Sequence, residues 1–256
     1  MGRSVSPQQP GRWGHINLPY IWEKITYIPN MNWPDVLKKD RIYLNFGGNG
    51  NCHPNPLYTN YISVDLYADY VGWTIRHDLR NPIPLPDNSV TRIHTEDFIE
   101  HLESEDIKKL LVESHRLLRR EGVMRIGVPD YNNPKDRQYL NKGSDPRLPL
   151  HLTLTNYNLL KNIIELSPFT RYQFYHYWDG DNFISHDIDY SLGFIKRTPD
   201  NDPRCKRKSL FKGILYTLGD FIYIISNGFN ISRQDMLTRK GHRLFITSIV
   251  VDLFKD

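Results

Sequence analysis

The chain has 256 residues, 39% of them hydrophobic and 24% charged, which excludes a disordered protein and allows one large domain or two small ones. A net charge of +4 is too weak to point to nucleic acid, and no nucleic-acid partner is expected. Two cysteines, Cys52 and Cys205, exclude a disulfide framework and a cysteine-built zinc site, so a reducing, cytoplasmic setting is expected.

The opening MGRSVSPQQP is polar and proline-bearing and reads as a loose tail without signal-peptide character. Residues 11–40 hold three of the five tryptophans and read as a wrapping arm, so 1–40 is set apart from a domain over 41–256. RIYLNFG (41–47) is a short apolar run that enters a glycine loop, LNFGGNGN (44–51). YISVDLY (61–67) and VTRIHTED (90–97) are the next two strand candidates, each carrying an acid near its end. SEDIKKLLVESHRLLRREG (104–122) is the clearest helix. Ser104 is its expected N-cap, and Ile107, Leu110, Leu111, Leu117 and Leu118 form one apolar stripe. Arg119 and Arg120 fill the last turn before Gly122. VMRIGVPD (123–130) reads as a buried strand. A second helix is expected from Thr155 to Leu166, then a strand over 169–178 and a last one over 244–254. Residues 179–243 intervene as an insertion too long for a structureless loop.

Strand, crossover helix and strand in repetition predict an α/β fold, a mostly parallel sheet with helices on both faces. Such sheets bind ligands beyond the carboxyl ends of their strands, at the switch in strand order. The glycine loop, Asp65, Glu96–Asp97 and Pro129–Asp130 all fall at predicted carboxyl ends. The loop is not G-x-G-x-x-G, and the prolines of NCHPNPLYTN (51–60) argue against a helix end that meets pyrophosphate. A nicotinamide-dependent oxidoreductase is thereby disfavoured. A nucleoside needs less: close backbone approach and a carboxylate for its ribose hydroxyls. Asp65, 18 residues after Gly47, can supply the carboxylate.

LNFGGNGN, SVDL, HDLRNPIPLPDNSVTRIHTEDFIEHL and LLVESHRLLRREGVMRIGVPD together resemble a class I S-adenosylmethionine-dependent methyltransferase. The resemblance is nearest to small predicted methyltransferases associated with polysaccharide synthesis, and LPDNSVTRIHTEDFIEHL is its most specific part. GFIKRTPDNDPR and TSIVVDLFK, toward the end, carry it further. Asn49 stands where that family has its second glycine, and Asn45 where an acid is common. The resemblance implies a Rossmann-like sheet of about seven strands with an antiparallel last strand. It implies S-adenosyl-L-methionine as cofactor: Gly47, Gly48 and Asn49 along its methionine part, Asp65 with Leu66 at the ribose, Asp78 and Leu79 at the adenine, and Glu96 near the amino or sulfonium end. It also implies an O-methyltransferase acting on a sugar hydroxyl of a glycan or polysaccharide. A small-metabolite acceptor stays open, as does a catalytically decayed, membrane-peripheral assembly protein of the same fold.

Asp130, after the fourth strand, and His151, before the second helix, are the candidate general bases; an Asx-turn acid and a cap-region histidine are their structural alternatives. His101 in EHL is expected to be a buried, satisfied imidazole. YHYWDGDNFISHDIDY (175–190) is dense in His, Asp and aromatics. Its donors, His176, Asp179, Asp181, His186, Asp187 and Asp189, match no metal-ligand spacing, and no metal ligands are assigned. A tyrosine- and acid-lined wall for a polar acceptor is the preferred reading. SLFKGILYTLGDFIYIISNGF (209–229) carries an apolar helical stripe between basic flanks and is too interrupted to span a membrane. It is expected to pack on the domain, on a second copy in a homodimer, or on an anionic membrane surface.

Overall fold

The computed structural model describes residues 31–48, 61–66, 74–134, 136–195, 225 and 248–256. All of these except Ile225 belong to one compact unit, Ile28–Lys206 with Phe245–Asp256. Asn49, and the stretch 209–229 apart from Ile225, lie outside the described residues. No described helix is long and apolar enough to cross a membrane.

The elements run α1 (Trp33–Leu37), β1 (Ile42–Phe46), β2 (Tyr61–Asp65), β3 (Thr74–Arg76), β4 (Val90–Glu96), a 3-10 turn (Ile99–His101), α2 (Ser104–Leu117), β5 (Leu118–Pro129), α3 (Arg137–Lys142), α4 (Tyr157–Glu165), β6 (Arg171–Asp179), β7 (Asn182–Ser185) and β8 (Ser248–Phe254). They form one eight-stranded sheet in the order β3-β2-β1-β4-β5-β8-β6-β7. The first five strands pair in parallel, with Leu44 opposite Ile62 on one side and Ile93 on the other. β8 is antiparallel to both β5 and β6, and β7 adds a hairpin strand to β6. The expected mostly parallel sheet with an antiparallel last strand is therefore present, one strand wider than seven.

Alternation along the strands separates two unlike faces. Leu44, Phe46, Ile93, Met124, Ile126, Val251 and Leu253 join one apolar core with Ile107, Leu110, Leu111 and Leu117 of α2 and Leu160, Ile163 and Ile164 of α4. Each of those helix side chains contributes about 2 kcal/mol relative to exposure. The opposite face carries Tyr61, His94, Arg125 and Asp252, and among the described residues it is covered by 186–195 through Ile188 and Phe194. Arg125 and Asp252 form a two-pronged ion pair there, at 2.7 Å for each prong, with side chains 1% and 0% exposed. Burial pushes the Asp252 carboxyl above its usual range, and the Arg125 guanidinium pulls it part of the way back. The Phe194 ring lies 4.2 Å from the guanidinium carbon.

The first long helix is shorter than its sequence predicts. Glu103, not Ser104, stands at its N-cap, and it ends at Leu117. Leu118 turns onto the sheet opposite Val90, and Glu121 takes φ +59° with its N–H donating to the Lys255 carbonyl. Leu-Arg-Arg-Glu is a good helical tetrapeptide, but pairing with the sheet outweighs propensities of a few tenths of a kcal/mol per residue. The second helix begins at Tyr157 because the Asn156 side chain accepts the Leu159 N–H at 3.1 Å.

Candidate active site

From β1 the chain lays β2 and β3 outward on one side, then returns to set β4 on the other. The crevice beyond the carboxyl ends of β1 and β4 is therefore the switch point. Gly47, at the end of β1, has φ +70°, and a Cβ there would overlap the Phe98 ring. A Cβ on Gly48 would overlap the Ser63 hydroxyl and the Asn45 amide. Gly47 is required by its dihedral as well as by the Phe98 ring, whereas a side chain at Gly48 would have to displace the polar ends of Ser63 and Asn45. The Gly47 N–H donates to the Val64 carbonyl at 3.0 Å, which fixes the loop against β2.

Asp65 is buried at the carboxyl end of β2, and its carbonyl accepts the His77 N–H at 3.0 Å. Leu66 follows, exposed. The Asp78 carboxylate accepts from Arg80 through N (3.1 Å), Nε (2.9 Å) and Nη2 (2.6 Å), and these bonds hold it below the usual carboxylate range. Leu79, beside it, is part of the main core. Glu96 ends β4 with Oε2 3.8 Å from His94 Nε2. Asp97 then adopts φ +51°, its N–H donating to the Gly127 carbonyl at 2.9 Å. Aspartate tolerates that left-handed region better than most residues. This turn swings Phe98 against Gly47.

The 3-10 turn that follows holds Glu100 and His101, and the fold brings His151 to them. Thr153 donates its N–H to the Glu100 carbonyl (3.0 Å) and its hydroxyl to the Leu102 carbonyl (2.6 Å). Thr155 donates its hydroxyl to the Pro129 carbonyl (2.6 Å) and accepts the Tyr131 N–H (2.8 Å) on its own carbonyl. Residues 151–155 are thus stitched between the turn after β4 and the end of β5. The His101 and His151 rings meet edge to face, with centroids 5.0 Å apart. Their Nε2 atoms lie 4.0 and 3.9 Å from the same oxygen, Glu100 Oε1. The Tyr131 hydroxyl lies 2.8 Å from His151 Nδ1 and donates to Asp145 Oδ2 at 3.2 Å. Burial would raise the Asp145 carboxyl, but Arg147, with bonds of 2.6 and 2.8 Å, outweighs it and keeps the group ionised.

Asp130 is 1% exposed, and both its oxygens accept backbone N–H groups, from Asn132 at 2.9 Å and from Trp178 at 2.7 Å. Burial pushes it up to about 7 in spite of those bonds. It clamps the end of β5 to β6, which sets the β6–β7 hairpin at the same end of the sheet. There Tyr177 stacks on Tyr157 at 4.1 Å, and Trp178 lies 5.3 Å from Phe183. The acids and histidines of 175–190 are dispersed: Asp181 pairs with Arg137, Asp189 with Ser191, and His176 is buried beside Phe183. Among the described residues, the group of three donors able to hold a metal is Glu100, His101 and His151. Sequence reasoning assigned Glu100 and Tyr131 no part; the acid–histidine pair at a strand's carboxyl end was the available signal.

Residues 55–126 match a family model described as a methyltransferase domain. The matched stretch contains Asp65, Asp78, Glu96, Glu100 and His101; the glycine loop precedes it, and Asp130, Tyr131 and His151 follow it. No curated protein matches. Among solved structures, a SAM-dependent methyltransferase of Archaeoglobus fulgidus is 14% identical over 87% of this chain and 90% of its own, at a TM-score of 0.48. The YcgJ protein of Bacillus subtilis is 15% identical over 84% and 92%, at 0.45. A phosphoethanolamine N-methyltransferase of Haemonchus contortus, in complex with phosphomonomethylethanolamine and S-adenosylhomocysteine, is 13% identical over 89% and 53%, at 0.43. The likeness to a methyltransferase domain therefore rests on the matched stretch, 55–126.

Proposed function

We propose that this chain is a methyltransferase that uses S-adenosylmethionine and transfers its methyl group to a hydroxyl of a sugar in a glycan or polysaccharide. The observation that carries the reading is the close-packed glycine pair at the switch point, with a buried carboxylate one strand away. S-adenosylmethionine has no phosphate, so it needs close backbone approach and a ribose acceptor rather than a helix N-terminus. In this reading Gly47, Gly48 and Asn49 run along the methionine part, and Asp65 takes the ribose hydroxyls beside Leu66. Asp78 and Leu79 flank the adenine, and Glu96 faces the amino or sulfonium end.

Methyl transfer from a sulfonium is an in-line displacement on an activated donor, so alignment, desolvation and deprotonation of the acceptor are what the protein supplies. His151 is the better-placed candidate for the last of these, since both oxygens of Asp130 already serve backbone amides. The aromatic rings of the β6–β7 hairpin support a sugar acceptor, whose C–H faces stack on them. Titration calorimetry with S-adenosylhomocysteine, with NAD as control, tests the cofactor: micromolar binding of the first alone is expected. NAD binding, or silence with both, would overturn the reading. Transfer of labelled methyl to oligosaccharides tests the acceptor, and methylation confined to non-sugar metabolites would reject it.

A further inference from the structure

We propose that Glu100, His101 and His151 bind one divalent transition-metal ion, zinc foremost, and that this ion receives the acceptor hydroxyl. The acceptor role rests on the methyltransferase reading above; the ion site does not.

The geometry argues from three sides. First, both histidine Nε2 atoms converge on one carboxylate oxygen at 3.9 and 4.0 Å, too far for hydrogen bonds. Ligands around a tetrahedral zinc, with bonds of about 2.0–2.1 Å, stand roughly 3.3 Å apart, so each must close by well under an ångström. Second, each ring is anchored through its Nδ1, which leaves Nε2 on the Glu100 side. His101 Nδ1 lies 2.9 Å from the Leu150 carbonyl, which can only accept, so that nitrogen carries the proton. The Tyr131 hydroxyl gives its proton to Asp145, so it accepts from His151 Nδ1. In each ring the lone pair is left on the nitrogen that faces Glu100. Third, the outer partners are those that a metal-binding histidine uses: a backbone carbonyl for one ring, and a phenol backed by a carboxylate for the other. Arg147 in turn fixes that carboxylate through Asp145 and also pairs with Asp136 at 2.9 Å.

The side chains of Glu100 and His151 are 1% and 6% exposed, and a cation between a buried carboxylate and two imidazoles repays their desolvation. Two nitrogens and one oxygen suit zinc and its first-row neighbours better than magnesium or calcium. Three protein ligands leave a position open, as a catalytic rather than a structural ion requires. The site begins three residues after Asp97, in the 3-10 turn that follows β4. With both imidazoles on the ion, the ion takes the place of a free His151 base: an acceptor hydroxyl bound to it loses its proton to solvent more readily. Its oxygen then forms the new C–O bond as the S–CH3 bond breaks, and the electron pair of that bond stays on sulfur as the neutral thioether.

The test uses the full chain after chelator dialysis, titrated with zinc by calorimetry and with cobalt by visible absorption, with S-adenosylhomocysteine affinity measured on the same samples. One ion per chain at micromolar affinity or tighter is expected. Glu100→Gln and His151→Gln should each weaken it at least a hundredfold, and Tyr131→Phe about tenfold. His101→Gln should also weaken it strongly; its side chain is 38% exposed, so that variant keeps the test valid if a buried one fails to fold. His115→Gln, which alters a histidine packed on Phe169, should bind as wild type. No ion bound by the wild type, or variants that bind like it, would overturn the site. Ion binding without S-adenosylhomocysteine binding would keep the site and remove its acceptor role.

Discussion

Gly47 and Phe98 occupy the same space in turn: the glycine at the end of β1 has no side chain because the ring from the loop after β4 stands where its Cβ would be. The two strand ends that border the switch point are therefore in contact through one backbone. Gly47→Ala adds a methyl group at φ +70° and forces that ring away. A destabilisation of about 1–3 kcal/mol is expected from the dihedral alone. S-adenosylhomocysteine binding should be lost along with the loop geometry. Thermal unfolding and calorimetry check the two effects separately, and an alanine variant that binds normally would remove the cradle from the site.

Asp65 and Asp78 separate by the roles proposed for them, the ribose for the first and the adenine for the second. Hydrogen bonds to an ionised group contribute about 1.5–3 kcal/mol, so Asp65→Ala should weaken S-adenosylhomocysteine roughly ten- to hundredfold. Asp78 is engaged by Arg80, and its replacement by Ala should cost severalfold at most. Equal losses in the two variants would mean that Asp78 leaves Arg80 for the cofactor.

Asp130 makes stability depend on pH. Its carboxyl is pushed up to about 7 from 3.8, so the folded state holds its proton more tightly than the unfolded chain does. That contribution is fully present below about pH 4 and is lost as pH rises through 7. Unfolding free energy followed from pH 4 to 8 should carry a falling component that Asp130→Asn removes. A slope unchanged in the variant would show that the carboxyl titrates in its ordinary range.

Arg125 and Asp252 tie β5 to β8 on the polar face of the sheet. Removing one partner leaves the other charge buried, and Asp252→Ala is expected to cost about 3–5 kcal/mol in urea unfolding. Replacing both by apolar residues of similar volume should cost less than the single change. A loss below about 1 kcal/mol for Asp252→Ala would mean that water reaches the stranded guanidinium.

The parallel strands were legible because β1, β2, β4 and β5 are apolar or β-branched runs bounded by glycine, proline or acids, which is local information. So were the stripe of α2 and the placing of Asp65 and Glu96 at strand carboxyl ends. β3 and β7, three and four residues long, carry too little pattern to be seen and exist because a neighbouring edge accepts them. The end of α2 escaped prediction for a related reason: the competitor for Leu118 is Val90, and nothing near Leu118 in the chain announces it.

The sequence by itself determined the α/β class, the glycine cradle and the acids that border it, since each depends on periodicity or on a residue's own backbone preference. Tertiary structure alone decided which of the candidate bases faces which partner. Asp130 and His151 are equivalent as loop residues after apolar runs. Pairing of β5 with β8, and of β8 with β6, draws the Trp178 amide onto Asp130. Thr153 and Thr155 carry His151 to Glu100 across half a hundred residues. Hydrogen bonds between segments so far apart depend on the closed sheet, and no local pattern records them.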